Sequence, residues 1–135
     1  MMEVGRAVAV LDPYEWLPGY GENGVDVRTK GADLAVVIAY DGDDGEFKKE
    51  LVFKHAVAFY MTTFPGPDIL NMQCSVKGTG SMGSLNECPD SEAAKAWREH
   101  FQGQFDIKHY TMLFLSENVA LVVFAESFAL GDVVG

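Results

Sequence analysis

Basic residues are scarce in this chain: ten Lys and Arg stand against twenty Asp and Glu, a formal net charge of −10 over 135 residues. So few cations cannot readily displace the counterions of a nucleic acid or hold an anionic membrane surface, so neither is expected as a partner. The acidity suits solubility. It also suits a protein partner with a basic face, whose encounter it would accelerate; self-association is the other expected mode. Cysteine is rarer still. Cys74 and Cys88 are the only two, no CxxC occurs, and no histidine stands at zinc-ligand spacing from either. No apolar run reaches the length of a membrane-spanning helix. The first six residues form no basic stretch, and the apolar run 7–11 is too short for a secretory signal. Together these absences predict a cytoplasmic protein with reduced thiols; a Cys74–Cys88 disulfide would require export.

The composition is that of a globular protein, 48% hydrophobic. The length fits a single domain, 1–135, with enough buried surface to need no covalent staple. Residues 1–23 read as an N-terminal arm, with a short strand over 7–11 and then two prolines and two glycines that interrupt regular structure. Its aromatics, Tyr14, Trp16 and Tyr20, either fold back on the core or form a partner-binding patch. Residues 25–29 alternate apolar and polar, the period of a half-buried strand. The continuous apolar run 34–40 reads as a strand covered on both faces. The strand-like stretch 47–63 is long for one strand and predicts a bulge or break near His55 and Ala56. Residues 69–76 suggest another strand, and 77–89 a glycine-rich loop.

One helix is expected, over 91–102. Ser91 or Asp90 caps it, Glu92 sits at the positive end of the dipole, Ala93, Trp97 and Phe101 share one side, and Gly103 stands where a C-terminal glycine belongs. Residues 106–115 and 119–129 form a C-terminal β-hairpin. Both of its strands are apolar on both parities, which predicts a central position with a second layer on the outer face. The expected fold is therefore mainly β: an antiparallel barrel or sandwich of about seven to eight strands with one α-helix.

Four patterns invite a chemical reading. Within the hairpin, a two-residue turn sets His109 opposite Glu126, and a three-residue turn sets Lys108 there instead. A carboxylate embedded among apolar residues needs such a partner. Chemically this is a candidate catalytic dyad of His109 and Glu126; structurally it is a pair that sets register. The structural reading is preferred, because a dyad without a nucleophile is an incomplete site. Gly78, Gly80 and Gly83 spell G-x-G-x-x-G, but the helix that should receive a pyrophosphate starts only after Pro89. Ser81 lacks the first glycine of a nucleophile elbow. A glycine-rich loop of Gly78, Gly80, Ser81 and Gly83 that gates a ligand pocket is the remaining role. Residues 41–46 are rich in acids, yet an EF-hand counted from Asp41 has Glu46 where glycine belongs and Val52 where a carboxylate belongs. His55 reads as a core histidine, and His100 as a cation at a helix C-terminus. No metal site and no cofactor are expected.

No motif fixes a function. A non-catalytic protein-interaction module fits best. A barrel or sandwich that binds a small apolar ligand between 34–40 and 47–63 follows, and a hydrolase-like enzyme built on His109 and Glu126 comes third.

Overall fold

A computed structural model describes residues 6–19, 21–63, 75–78, 83–114 and 119–133. Within them lie ten strands: β1 (Arg6–Leu11), β2 (Gly24–Lys30), β3 (Asp33–Gly42), β4 (Gly45–Lys54), β5 (Ala58–Thr63), β6 (Ser75–Gly78), β7 (Leu85–Glu87), β8 (Lys108–Phe114), β9 (Val119–Ala125) and β10 (Ser127–Asp132). The one α-helix among the described residues, α1, spans Glu92–His100. The strands form a six-stranded sheet, ordered β5-β9-β8-β7-β1-β6, and a four-stranded sheet, ordered β10-β4-β3-β2. Each sheet has two edges, so neither closes into a barrel, and the expected barrel-or-sandwich fold resolves to two open sheets. All pairs are antiparallel except β1 with β6.

Alternation explains the stacking. On β2, Val25 and Val27 face Ile38 and Val36 of β3, while Asp26 and Arg28 point to the other side. Leu34, Val36, Ile38, Leu51 and Phe53 from the four-stranded sheet join Leu85, Tyr110, Met112, Leu121 and Val123 from the six-stranded sheet in one buried cluster. Strands β8 and β9 are apolar on both faces because their second face is covered. Val122 and Phe124 there pack with Ala93 and Ala94 of α1 and with Ile107. The helix starts where its sequence signals place it. Ser91 Oγ accepts the Ala94 N–H at 3.2 Å, and Gly103, at φ 78°, turns the chain out of the helix while its N–H bonds back to the Arg98 carbonyl.

Two corners tie the sheets together. The long segment 47–63 breaks where expected, at His55, which adopts φ 51°; β4 before it belongs to the four-stranded sheet and β5 after it to the six-stranded one. The second hairpin arm breaks in the same way at Glu126, so residues 119–129 form not one strand but β9 in one sheet and the start of β10 in the other. The corners lie side by side: the Glu126 N–H donates to the Lys54 carbonyl at 2.9 Å and the Val57 N–H to the Phe124 carbonyl at 2.8 Å. Strands that change sheet at a bend are the usual way to build a sandwich corner. This division, with the short β6 and β7, raises the strand number above the expectation.

Candidate functional site

The hairpin corrects the expected pairing of Glu126. Phe114 faces Val119, so four residues separate the paired positions rather than two or three. His109 therefore faces Phe124, and Lys108 faces Ala125. Glu126 stands just past the end of β9, at the corner. Lys108 does reach it, but donates to its backbone carbonyl at 2.9 Å. The Glu126 carboxylate lies 3.9 Å from Nδ1 of His55, with both side chains part-exposed. His55 meets Phe105 edge-on at 4.1 Å, and its N–H donates to Asp33 Oδ1 at 3.0 Å. That backbone hydrogen bond leads the effects holding the Asp33 carboxyl below the usual range, with Lys54 adding to it. The His55 and Glu126 side chains thus approach each other where backbone hydrogen bonds already join the two corners.

His109 is sealed, at 0% exposure. Its Nδ1 lies 2.7 Å from Ser91 Oγ, and its ring tilts against Phe124 at 4.6 Å. The serine hydroxyl accepts the Ala94 N–H and still has a proton and a second lone pair with which to meet Nδ1. A serine next to a histidine is a nucleophile–base arrangement in outline. Here Ser91 is 2% exposed and serves as the helix N-cap, so no substrate reaches it. The pair couples α1 to β8. The sequence shows the cap but not its histidine partner, eighteen positions away.

The N-terminal arm docks on the core. Asp12 Oδ1 accepts the Tyr14 N–H at 3.0 Å and starts a 3-10 turn over Pro13–Glu15. The turn buries Pro13 and Leu17 and half-buries Trp16. Trp16 packs against Tyr40, ring centroids 5.2 Å apart, with the Lys49 ammonium 5.6 Å from the indole centroid. Tyr40 stacks on Phe47 at 5.9 Å and 26°. Tyr14 stays exposed, its ring lying on Gly83 so closely that a Cβ there would meet it at 2.6 Å. Tyr20 lies outside the described residues.

Trp16, Tyr40 and Phe47 form a ladder that carries the inter-sheet core out to solvent at one end of the four-stranded sheet. Tyr40 and Phe47 are partners across β3 and β4, on the face that further along holds Ile38 and Leu51. Phe47 is 45% exposed. Its ring covers Gly42, leaving no room there for a Cβ, and stacks on Tyr40. Lys49, on the same face, pairs with Asp132 at 2.6 Å. Beside the ladder is a groove of about 520 Å³ lined by Tyr40, Glu46, Phe47, Lys48, Asp132 and Val133. The acidic segment 41–46 comprises the two-residue turn Asp43–Asp44 and the ends of β3 and β4 that it joins. It sets Asp41 directly opposite Glu46, an unfavourable juxtaposition of like charges. Sequence reasoning named Trp16 but treated Tyr40 and Phe47 only as members of apolar runs. An aromatic on each side of an acidic turn was the available signal.

The other expected features are placed as follows. Gly78 ends β6, and the chain passes through β7 before α1; Gly80 and Ser81 lie outside the described residues. Of the walls of the expected apolar pocket, Leu34, Val36, Ile38, Leu51 and Phe53 are packed in the inter-sheet cluster. His100, in the last turn of α1, meets Phe101 edge-on at 4.9 Å. Among the described residues no three His, Cys, Asp or Glu side chains gather as a metal-binding group, and no helix is long and apolar enough to cross a membrane. Cys88 is disulfide-bonded, not the expected reduced thiol. The only other cysteine, Cys74, lies outside the described residues. The expectation of reduced thiols rested on compartment signals, which carry no information about which cysteines the fold brings together. Compared with protein-family models, curated proteins and solved structures, the chain matches none.

Proposed function

We propose that this protein is a non-catalytic protein-interaction module whose docking surface is the open end of the four-stranded sheet. The observation that carries the reading is the Trp16–Tyr40–Phe47 ladder, which ends in an exposed Phe47 beside a groove. Aromatic side chains anchor interfaces, because they bury much area and have few torsions to freeze. The charge around them suits a partner with a basic face. Asp43, Asp44 and Glu46 are exposed at the turn, and carboxylates gathered beside an aromatic anchor suit cations on a partner. Lys49, the nearest cation on that face, is already paired with Asp132. An enzyme built on His109 has less support, since its ring and Ser91 are out of solvent's reach. A disulfide at Cys88 suits an oxidising compartment better than the cytoplasm.

The test is an NMR titration of the isotope-labelled protein with a lysine-rich peptide at two salt concentrations. The expected result is a set of shifts confined to residues 40–49 and 130–133 that weakens as salt rises. Shifts spread evenly over the acidic surface, or centred elsewhere, would count against the reading.

A further inference from the structure

We infer that two copies of this chain associate through strand β5, edge to edge. Strand β5 is an outer strand of the six-stranded sheet, paired on one side with β9. Its outer side carries no strand among the described residues. An unpaired edge offers a row of backbone donors and acceptors to any second strand, and natural sheets usually guard such edges with charge or proline. Two other edge strands of this fold are guarded: β2 carries Asp26, Arg28 and Lys30, and β10 carries Asp132. Strand β5, of sequence AFYMTT, has neither a charge nor a proline.

The same strand carries two of the large apolar side chains left in solvent, Phe59 at 41% and Met61 at 40% exposure. They stand two positions apart and face Val123 and Leu121 of β9, residues of the inter-sheet core. The core therefore runs out to solvent along this edge, as it does at the hairpin end. The two places differ in charge. The hairpin end is acidic and suits a basic partner. A second copy brings another net charge of −10 and is repelled by most of the surface, so the uncharged edge is where like can meet like.

The strand is also complementary to itself. A two-fold axis perpendicular to the sheet keeps the core-facing side of one copy continuous with that of the other. Facing residues must then have the same parity. With Tyr60 of one copy opposite Tyr60 of the other, Phe59 of each faces Met61 of its mate, giving two sulfur–aromatic contacts about the axis. The next allowed register sets Met61 against itself and separates the aromatic rings from the thioethers. The first register is the expected one, and the two six-stranded sheets become one continuous sheet.

Sedimentation velocity of the full chain over a concentration series tests the association. Isotope-filtered NOE spectra of a mixture of labelled and unlabelled chain test the register. The expected results are a concentration-dependent dimer and an intermolecular NOE between the Phe59 ring and the Met61 methyl. The double substitution Phe59→Lys, Met61→Lys restores the guard charges and is expected to give a monomer, while Phe47→Ala leaves the dimer intact. A chain that stays monomeric to millimolar concentration overturns the inference. So does a dimer that lacks the Phe59–Met61 NOE, and that readout needs no variant to fold.

Discussion

The helix side of the six-stranded sheet and the hairpin end of the four-stranded sheet both set polar groups among aromatic rings, and they leave those groups in opposite states. On the helix side, His109 and Ser91 are out of water, each satisfying the other, with the hydroxyl also capping α1. At the hairpin end, Phe47 reaches solvent beside exposed Glu46 and Lys48. The residue types most suggestive of catalysis are thus committed to holding helix to sheet. The residue types most suggestive of plain packing are the ones left accessible. A side chain's availability, more than its reactivity in isolation, decides which of the two regions can act on another molecule.

The largest expected effect comes from breaking the sealed region. His109→Ala removes a fully buried ring and leaves Ser91 without its partner, so a loss of about 3 kcal/mol in unfolding free energy is expected from urea denaturation. Ser91→Ala keeps the ring but removes the cap and strands His109 Nδ1; it is expected to cost about 1–2 kcal/mol. Phe47→Ala at the open end should cost under about 1 kcal/mol, the usual size for a substitution away from the core. If Phe47→Ala destabilises as much as His109→Ala, the contrast between sealed and open regions fails.

A smaller effect sharpens the same contrast through pH. The Tyr60 phenol packs against the helix-side cluster, and burial pushes its pKa up to about 12. Burial also raises that of Tyr110, with Glu87 and Asp106 adding to it. Because the folded-state value exceeds the unfolded one, near 10, the stabilisation tied to the neutral phenol is whole below about pH 10. It is lost as pH rises from there toward about 12. An absorbance titration of phenolate is expected to show a late fraction that coincides with unfolding, and substituting Tyr60 by Phe should shrink that fraction.

The parts of this molecule readable in sequence are those set by neighbours along the chain. Ser91, Glu92 and Gly103 mark the ends of α1, the alternation of Val25 and Val27 with Asp26 and Arg28 marks β2, and the interruption at His55 marks the first corner. The corner at Glu126 was hidden because apolar residues occupy both parities on either side of it, once the helix covers the second face. The partner of His109 was hidden for another reason. Register depends on the length of the hairpin connection, and two extra residues there replace Glu126 by Phe124 as the facing residue. The aromatic ladder joins three segments, the arm, β3 and β4, and only the docking of the arm brings Trp16 onto Tyr40. Nothing local to Trp16 specifies that meeting.

The most direct measurement of the central claim is the affinity of a lysine-rich peptide for the unmodified chain and for Phe47→Ala, each with its unfolding midpoint. The expected result is a loss of affinity of about tenfold or more, with the midpoint nearly unchanged. Equal affinities in two equally stable proteins would contradict the assignment of the hairpin end as the docking surface.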